Sequence, residues 1–330
     1  MINIFYPKNS HSLIVSLGFL SGNQNLIFIK KTFFPDISKL TKFIEKNLKV
    51  KFLYINSLND IQKIILEIEK KKSKNEINFF HKENNDKFSE LVKQNINFIF
   101  LEHGIGNYYN FINRNYILIL KDYLRSVGIK KYKFYAGIYS LLTNNIFING
   151  SKVGRLFPKK IYEILGIILK FYQKYSSLNI FFKKLSDTKK VVLVNVPKYL
   201  SNDDFKIFIY RLLSLNRVIN KFYFKFKSND ENKQKRCKYI KKTLKTQNKI
   251  PIILNDKFKK IPFELLIYCT KNIIIFTSIS NVPFVSSLLF KNIIYLYLPK
   301  SIKKKYYKFP EVKKNTHIFY KKNFSKIKFI

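Results

Sequence analysis

The sequence predicts an α/β protein of two domains, each a parallel sheet flanked by helices. Three observations lead there. Short β-branched and aromatic runs alternate with longer amphipathic runs, the rhythm of βαβ units. That rhythm runs from residue 2 to about residue 102, blurs, and restarts at residue 189. The chain has 330 residues and is 46% apolar, enough to bury two cores of ordinary size.

Taken in order, the first-half strands are "INIFY" (2–6), "NLIFIK" (25–30), "KFLYIN" (51–56), "INFF" (77–80) and "INFIFLE" (96–102). Helical patterns fall at 10–21, 36–47, 59–72 and 85–94. The third of these, "NDIQKIILEIEKKK", opens on an Asn/Asp cap signal and carries apolar residues at helical spacing. Residues 112–186 lose the rhythm. Within them, 162–185 reads as one or two apolar and basic helices, either packed as a connector or lying on a membrane surface. In the second half, "KKVVLVNVP" (189–197) is a continuous buried strand of the parallel-sheet kind. A capped helix (202–215), a strand (221–226), a helix (231–246), a strand (251–254), a helix (262–269) and two strands (272–278 and 292–298) follow. The expected division is an N-terminal domain over 1–185 with its connector helices, a C-terminal domain over 186–300, and a basic tail over 301–330.

Composition excludes several classes. An apolar content this high rules out a disordered basic tail. No uninterrupted apolar run reaches about 18 residues, so no membrane span is expected. The N-terminus reads as a strand and a helix rather than a signal peptide. Cys237 and Cys269 fit no C-x-x-C metal spacing, and two thiols suit a reducing compartment, a single bridge being the alternative. These features predict a cytoplasmic protein. The net charge is +43, carried by 63 basic residues of which only six are arginine. One reading is a solvated lysine surface swelled by the codon usage of an AT-rich genome. The other is attraction to an anionic partner: a membrane surface, a nucleic acid or an acidic polysaccharide. Scarce arginine argues against specific reading of DNA grooves.

All nine glycines lie at or before Gly166. The second domain therefore holds neither a P-loop nor a G-x-G-x-x-G turn. A phosphate there would have to be held by helix N-termini, hydroxyls and lysines. In doubly wound folds ligands sit at the C-terminal ends of strands, so the candidates are strand-end residues. Glu102 ends "INFIFLE", and Gly104 and Gly106 permit a sharp turn after it. A carboxylate so placed can act as a general base, worth roughly 10²–10⁴ in rate. Its structural alternative is a turn carboxylate that caps the next helix or pairs with a lysine. "FYFKFKSND" ends a strand with Lys225, Lys227 and Ser228, where the lysines can equally be a solvent face. Glu264 sits near the start of a helix, where the dipole alone would favour it. "FTSISN" puts Thr277, Ser278 and Ser280 at a strand-to-helix turn, suited to phosphate or to ordinary capping.

The order of these features resembles the bacterial sialyltransferases and polysialyltransferases that use CMP-sialic acid, over roughly residues 1–300. That family carries a D/E-D/E-G motif, a His-Pro pair inside a K-P-H-P-like strand end, and a paired Ser/Thr motif. The opening "IFYPKNSHSLIVSLGF" is similar to its first strand and helix. The resemblance implies two Rossmann-like domains facing a cleft, the GT-B type, with an acceptor-side N-terminal domain and a nucleotide-sugar-binding C-terminal domain. By it, Glu102 is the base that activates an acceptor hydroxyl and Gly104 is the motif glycine. Lys225 is the lysine of the K-P-H-P stretch, Ser278 and Ser280 hold the donor phosphate, and Glu264 meets the ribose of CMP. His103 replaces the second acidic residue and can share the acid–base work. Lys227-Ser228 replaces His-Pro, and a lysine can neutralise phosphate as a point charge. Ser286-Ser287 is a rival placement for the hydroxyl pair. The implied reaction needs CMP-sialic acid as donor substrate, an anionic glycan of capsule or lipooligosaccharide type as acceptor, and no metal or other cofactor. Such synthesis occurs at an anionic inner leaflet, so a peripheral position on the plasma membrane is expected. Three alternatives stand beside it: another donor such as CMP-Kdo or a UDP-sugar, an inactive relative, and a non-enzymatic basic protein that binds nucleic acid or membrane.

Overall fold

The computed structural model describes residues 1–22, 24–31, 33–71, 76–81, 96–101, 134–137, 152–155, 158–188, 190–226, 230–254, 256–258, 260–270, 272–278, 282–290, 292–298 and 327–330. The chain divides into two compact units, Met1–Ser177 and Leu178–Ile330. Each is an α/β layer structure built on an all-parallel sheet.

The first sheet comprises β1 (Ile2–Tyr6), β2 (Gln24–Ile29), β3 (Lys51–Tyr54), β4 (Ile77–His81), β5 (Ile96–Leu101), β6 (Phe134–Gly137) and β7 (Lys152–Arg155). Their spatial order is β3-β2-β1-β4-β5-β6-β7. Helices α1 (Ser10–Gly18), α2 (Ile37–Asn47), α3 (Leu58–Lys71) and α4 (Pro158–Lys174) accompany it. Local chemistry explains the helix starts. Asn9 caps α1 by accepting from the Ser12 N–H at 2.8 Å, while the Ser12 hydroxyl accepts from the Asn9 N–H at 3.0 Å, a reciprocal capping box. Asp60 opens α3 by accepting from the backbone N–H groups of Asn56 and Ser57. Asp36, before α2, holds a left-handed φ of 53°, unfavourable for a residue with a Cβ. Its carboxylate compensates by accepting from Ser176 Oγ at 2.7 Å and from the Ser177 N–H at 3.1 Å.

Even-numbered residues of β1 and β2 (Ile2, Ile4, Tyr6, Leu26, Phe28) and odd-numbered Ile77 and Phe79 of β4 form one core with Ile61 and Ile65 of α3. The other face carries an unusual feature. Asn25, Asn3, Asn78 and Asn97 stand opposite one another in strands β2, β1, β4 and β5. Their side-chain amides bond in series: Asn3 donates to Asn25 Oδ1 (3.2 Å), Asn78 donates to Asn3 Oδ1 (3.0 Å) and Asn97 donates to Asn78 Oδ1 (3.2 Å). Asn25 completes the series by donating to the carbonyls of Ser21 (2.9 Å) and Lys49 (3.0 Å). A buried amide is costly unless hydrogen-bonded, and the series meets that need for buried Asn3 and Asn25 and extends it through half-buried Asn78 and Asn97.

Helix α4 buries Ile161, Ile164, Leu165, Ile168, Phe171 and Tyr172 and packs on α1 and α2. The segment 162–185 is thus two helices, α4 and α5 (Asn179–Ser186). The alternative in which 162–185 lies on a membrane does not hold for α4, because its apolar face is already covered. The chain crosses from one unit to the other at 177/178, so α5 goes with the second unit.

The second unit runs β8 (Val191–Val196), α6 (Asn202–Leu215), β9 (Lys221–Phe226), α7 (Lys233–Lys245), β10 (Ile250–Ile253), α8 (Phe263–Tyr268), β11 (Ile273–Thr277), α9 (Val282–Leu289), β12 (Ile293–Leu296) and β13 (Ile327–Phe329). Its sheet order is β10-β9-β8-β11-β12-β13. Val192, Val194, Val196, Phe222 and Phe224 pack against Phe205, Phe208 and Leu212 of α6. Three features extend the sequence reading. Strands β6 and β7 lie inside the stretch where the rhythm blurred. Helix α9 follows the expected strand-to-helix turn at "FTSISN", over a stretch for which the sequence reading sets no bounds. The tail returns at its very end as β13, paired in parallel with β12. Both cysteines are free thiols. No helix among the described residues is long and apolar enough to cross a membrane.

The ladder generates a stability prediction. Asn3 sits at its centre, so Asn3→Ala strands amide groups of both neighbours and should cost about 2–3 kcal/mol. Asn97→Ala, at the end, should cost less. Urea unfolding of the two variants measures the difference.

Candidate functional site

An open parallel sheet binds ligands at the C-terminal ends of its strands, where the chain order reverses. In the second sheet that reversal falls between β8 and β11, and in the first between β1 and β4.

At the β8/β11 reversal, strand register aligns three polar residues. Asn195 pairs with Lys225 across β8 and β9. Phe276 pairs with Val194 across β11 and β8, so the next residues, Thr277 and Asn195, stand opposite each other. Lys225, Asn195 and Thr277 therefore form one row on a single face, near the C-terminal end. Asn195 Nδ2 donates to Thr277 Oγ1 at 3.1 Å, and Thr277 Oγ1 lies 3.1 Å from the Ser278 carbonyl, to which it donates. Ser278 Oγ donates to the Tyr297 carbonyl at 2.8 Å. Both Thr277 and Ser278 are fully buried. Thr277 and Ser278 thus fix the end of β11 to its neighbours on both sides, and neither hydroxyl reaches solvent.

Two buried contacts shape the loops above this row. Tyr297 follows β12 and donates from its hydroxyl to Asp204 Oδ1 at 3.3 Å. Burial, reinforced by the Asp204 charge, pushes the Tyr297 phenol up to about 12. Asp204 lies in the first turn of α6, where Ser201 caps the helix by accepting from the Asp204 N–H at 3.0 Å. The second contact is an ion pair with both side chains 1% exposed: Arg236 Nη1 to Asp230 Oδ2, 2.9 Å. Arg236 also donates to the carbonyls of Pro197 (2.9 Å) and Leu200 (2.6 Å). It covers the Phe205 ring at 4.9 Å. One guanidinium thereby ties the β8–α6 loop to the β9–α7 loop, between whose described ends, Phe226 and Asp230, lie Lys227 and Ser228.

Helix α9 adds the feature of greatest chemical interest. Ser286 Oγ and Ser287 Oγ are both buried and have no hydrogen-bond partner among the described residues. Buried hydroxyls normally find one, and an unmet group costs about 1–3 kcal/mol. Ser286, itself 0% exposed, and its neighbour Ser287 thus carry unused donor capacity on the helix that follows β11. Glu264 is buried in the first turn of α8, a six-residue helix whose flanking residues Phe263 and Leu265 are buried apolar groups.

At the β1/β4 reversal of the first unit, Tyr6 and His81 pair across the strand ends. The Lys8 ammonium lies 4.6 Å from the Tyr6 ring, and buried His81 stacks on Phe79 (4.5 Å) and meets the edge of Phe98 (5.4 Å). Strand β5 ends at Leu101, one residue before Glu102. Glu102, His103, Gly104, Gly106, Lys227, Ser228 and Ser280 lie outside the described residues. A cavity of about 240 Å³ opens at the opposite end of this sheet, lined by Ile2, Leu26, Leu53, Ile64 and Ile68 with Lys51 and Lys71. Among the described residues, no three His, Cys, Asp or Glu side chains gather as a metal site requires.

Of the predicted residues, Lys225 and Thr277 are brought into one row, and Ser278 adjoins it. Sequence reasoning missed Asn195, Asp204, Arg236 and Tyr297. Asn195 had a signal, being the one polar residue in "VVLVNV". Arg236 had none, since it sits among the lysines of "NKQKRCKYIKK".

No protein-family model matches the chain, and no curated protein matches it in sequence. Solved structures match its fold. A UDP-GlcNAc 2-epimerase from Neisseria meningitidis, bound to UDP-GlcNAc, is 15% identical with a TM-score of 0.51, over 92% of this chain and 84% of that one. A sialyltransferase from Photobacterium damsela is 12% identical with a TM-score of 0.50, over 100% and 81%. The UDP-GlcNAc 2-epimerase of Methanocaldococcus jannaschii is 14% identical with a TM-score of 0.50, over 100% and 88%. At these identities the likeness concerns the fold alone, and the fold is α/β of the GT-B type.

The buried ion pair supplies a prediction for the site's scaffold. Arg236→Met leaves the Asp230 carboxylate buried without its cation and should cost about 3–5 kcal/mol in urea unfolding. Asp230→Asn added to it should restore part of that loss.

Proposed function

We propose that the protein is a glycosyltransferase that moves sialic acid from CMP-sialic acid to a glycan hydroxyl. The observation that carries this reading is the unmet hydroxyl pair Ser286-Ser287 on the helix following β11, in a sheet whose chain order reverses at β8/β11. Hydroxyl donors suit phosphate oxygens, and no glycine-rich loop competes for that role. The pair also gives the Ser286-Ser287 placement of the family's hydroxyl motif the advantage over Ser278-Ser280, since the Ser278 hydrogen is already committed to Tyr297.

In the proposed reaction the Glu102 carboxylate takes the proton of the acceptor hydroxyl. The acceptor oxygen then forms its bond to the anomeric carbon of the sugar. The bond from that carbon to the CMP phosphate oxygen breaks, and CMP leaves with the electron pair. Ser286, Ser287 and the lysines of the β9 end stabilise the phosphate charge that develops, the electrostatic contribution that dominates such transfers. Glu264 binds the ribose, and His103 shares the proton with Glu102. The acceptor is a glycan, anionic if the lysine surface serves to attract it. A UDP-sugar or CMP-Kdo donor is the second reading, favoured by the replacement of His-Pro with Lys227-Ser228.

Melting curves with CMP, CDP, UMP, UDP and GDP distinguish the donors, because a ligand that binds only the folded state raises Tm. CMP should give the largest shift, whereas a selective UDP response would move the assignment to the second reading. Ser286→Ala/Ser287→Ala should leave the unliganded Tm unchanged or raised, since it removes two unmet groups. The same variant should weaken CMP binding about tenfold or more. Glu102→Gln should lower transfer at least about 10²-fold and leave CMP affinity intact. Retained turnover in Glu102→Gln would remove that residue from the mechanism.

A further inference from the structure

The outward face of α6 departs from what a surface helix normally presents. Its inward face, Phe205, Phe208, Ile209, Leu212 and Leu213, is buried in the core. A polar stripe is expected opposite. Instead Ile207 is 38% exposed and Tyr210 70% exposed, one helical turn apart, and Val218 just beyond the helix is 89% exposed. No slack in the chain puts Val218 outside. On one side buried Asn216 donates to the Leu212 carbonyl at 2.8 Å. On the other, buried Ile219 donates its N–H to the Asn216 carbonyl at 3.1 Å. With both neighbours pinned, Val218 cannot turn inward without unmaking the cap.

Cations border these apolar groups. Arg211 and Arg217 are exposed, and the Lys249 ammonium bonds the Arg217 carbonyl, which sets it beside Val218. Lys206 is paired with Asp203 at 3.3 Å and adds less. The arginines carry particular weight. Codon bias toward AT inflates lysine but not arginine, and two of the six arginines in the chain lie within seven residues here.

We propose that this face is where the protein rests on an anionic lipid surface. Tyrosine at the headgroup level, aliphatic groups at the acyl boundary and flanking cations on lipid phosphates are the components of an interfacial contact. The net charge of +43 would bring the molecule to such a surface, and the α6 face would then orient it. A nucleic-acid backbone would neutralise the same cations but gives Ile207 and Val218 nothing to bury against. The proposal does not depend on the transfer reaction, and either can fail alone.

The test is co-sedimentation of the full chain with vesicles of phosphatidylcholine alone, or with about one-third phosphatidylglycerol. Wild type should bind the anionic vesicles and not the neutral ones. Ile207→Ser/Tyr210→Ser/Val218→Ser should reduce that binding about tenfold, and Arg211→Gln/Arg217→Gln should reduce it several-fold. All five positions are exposed, so melting curves should match wild type. Should the apolar variant fold poorly, the arginine variant decides by itself. A control removes three exposed lysines of α7, Lys238, Lys242 and Lys245, as Gln, and should retain most of the binding. Equal loss in this control would reduce the effect to bulk charge and overturn the assignment. So would undiminished binding by the α6 variants, or wild-type preference for duplex DNA over anionic vesicles.

Discussion

In the first sheet four asparagine amides bond side by side across β2, β1, β4 and β5, and the placement of everything at the other end of those strands rests on that ladder. A parallel strand that slips by one residue turns every side chain to the opposite face. For these strands a slip would also break the amide series and strand the buried amides of Asn3 and Asn25, so the register is fixed twice, by apolar packing and by polar satisfaction. The ladder occupies the N-terminal ends of the strands. Their C-terminal ends, where Tyr6, His81 and Leu101 lie, are left to present whatever the following loops carry. Among the described residues the second sheet has no ladder of this kind. Its register follows from alternation, with Val192, Val194, Phe222 and Phe224 on one face and Asn195, Lys225 and Thr277 on the other.

Polar groups in the second unit divide into two kinds. Asn195, Thr277, Ser278, Asp204 and Arg236 all have partners, and together they tie the ends of β8, β11 and β12 and the loops above them. Ser286 and Ser287 have buried hydroxyls without partners among the described residues. The bonded atoms make a floor that does not rearrange, whereas unmet ones, which also include Arg236 Nε and Asn216 Oδ1, hold unused bonding capacity at a cost to stability. A binding site built on a rigid α/β frame has this division. The satisfied row Lys225–Asn195–Thr277 lies at the β8/β11 reversal, where open parallel sheets hold their ligands.

Much of this was legible in the sequence, for identifiable reasons. The strands of the first unit announced themselves as short β-branched runs, and α2, α3 and α6 as runs with one apolar face. The ladder was visible too, since "INIF", "NLIF", "INFF" and "INFIF" each carry Asn at the head of an apolar run, but only strand order reveals that the four amides meet. The extent of helix α9 was hidden because "VPFVSSLL" is apolar almost all round and shows no helical period. Strands β6, β7 and β13 are three or four residues long, with lysine, glycine or arginine in each, and such runs carry little strand signal. Arg236 was invisible among lysines, because nothing in a charge run says which member is buried. Of the hydroxyls at "FTSISN", Thr277 and Ser278 lie where a phosphate turn would place them. Their bonds to Asn195 and Tyr297 depend on residues 82 and 19 positions away in the chain, beyond the reach of a local motif.

The claim at the centre of this account is that the second unit holds a nucleotide at the β8/β11 reversal. Hydrogen–deuterium exchange of the full chain with and without CMP tests it most directly. Peptides covering 195–204 and 277–290 should exchange more slowly when CMP is bound, while those covering the asparagine ladder should be unchanged. Protection confined to other segments, or none at saturating CMP, would contradict it.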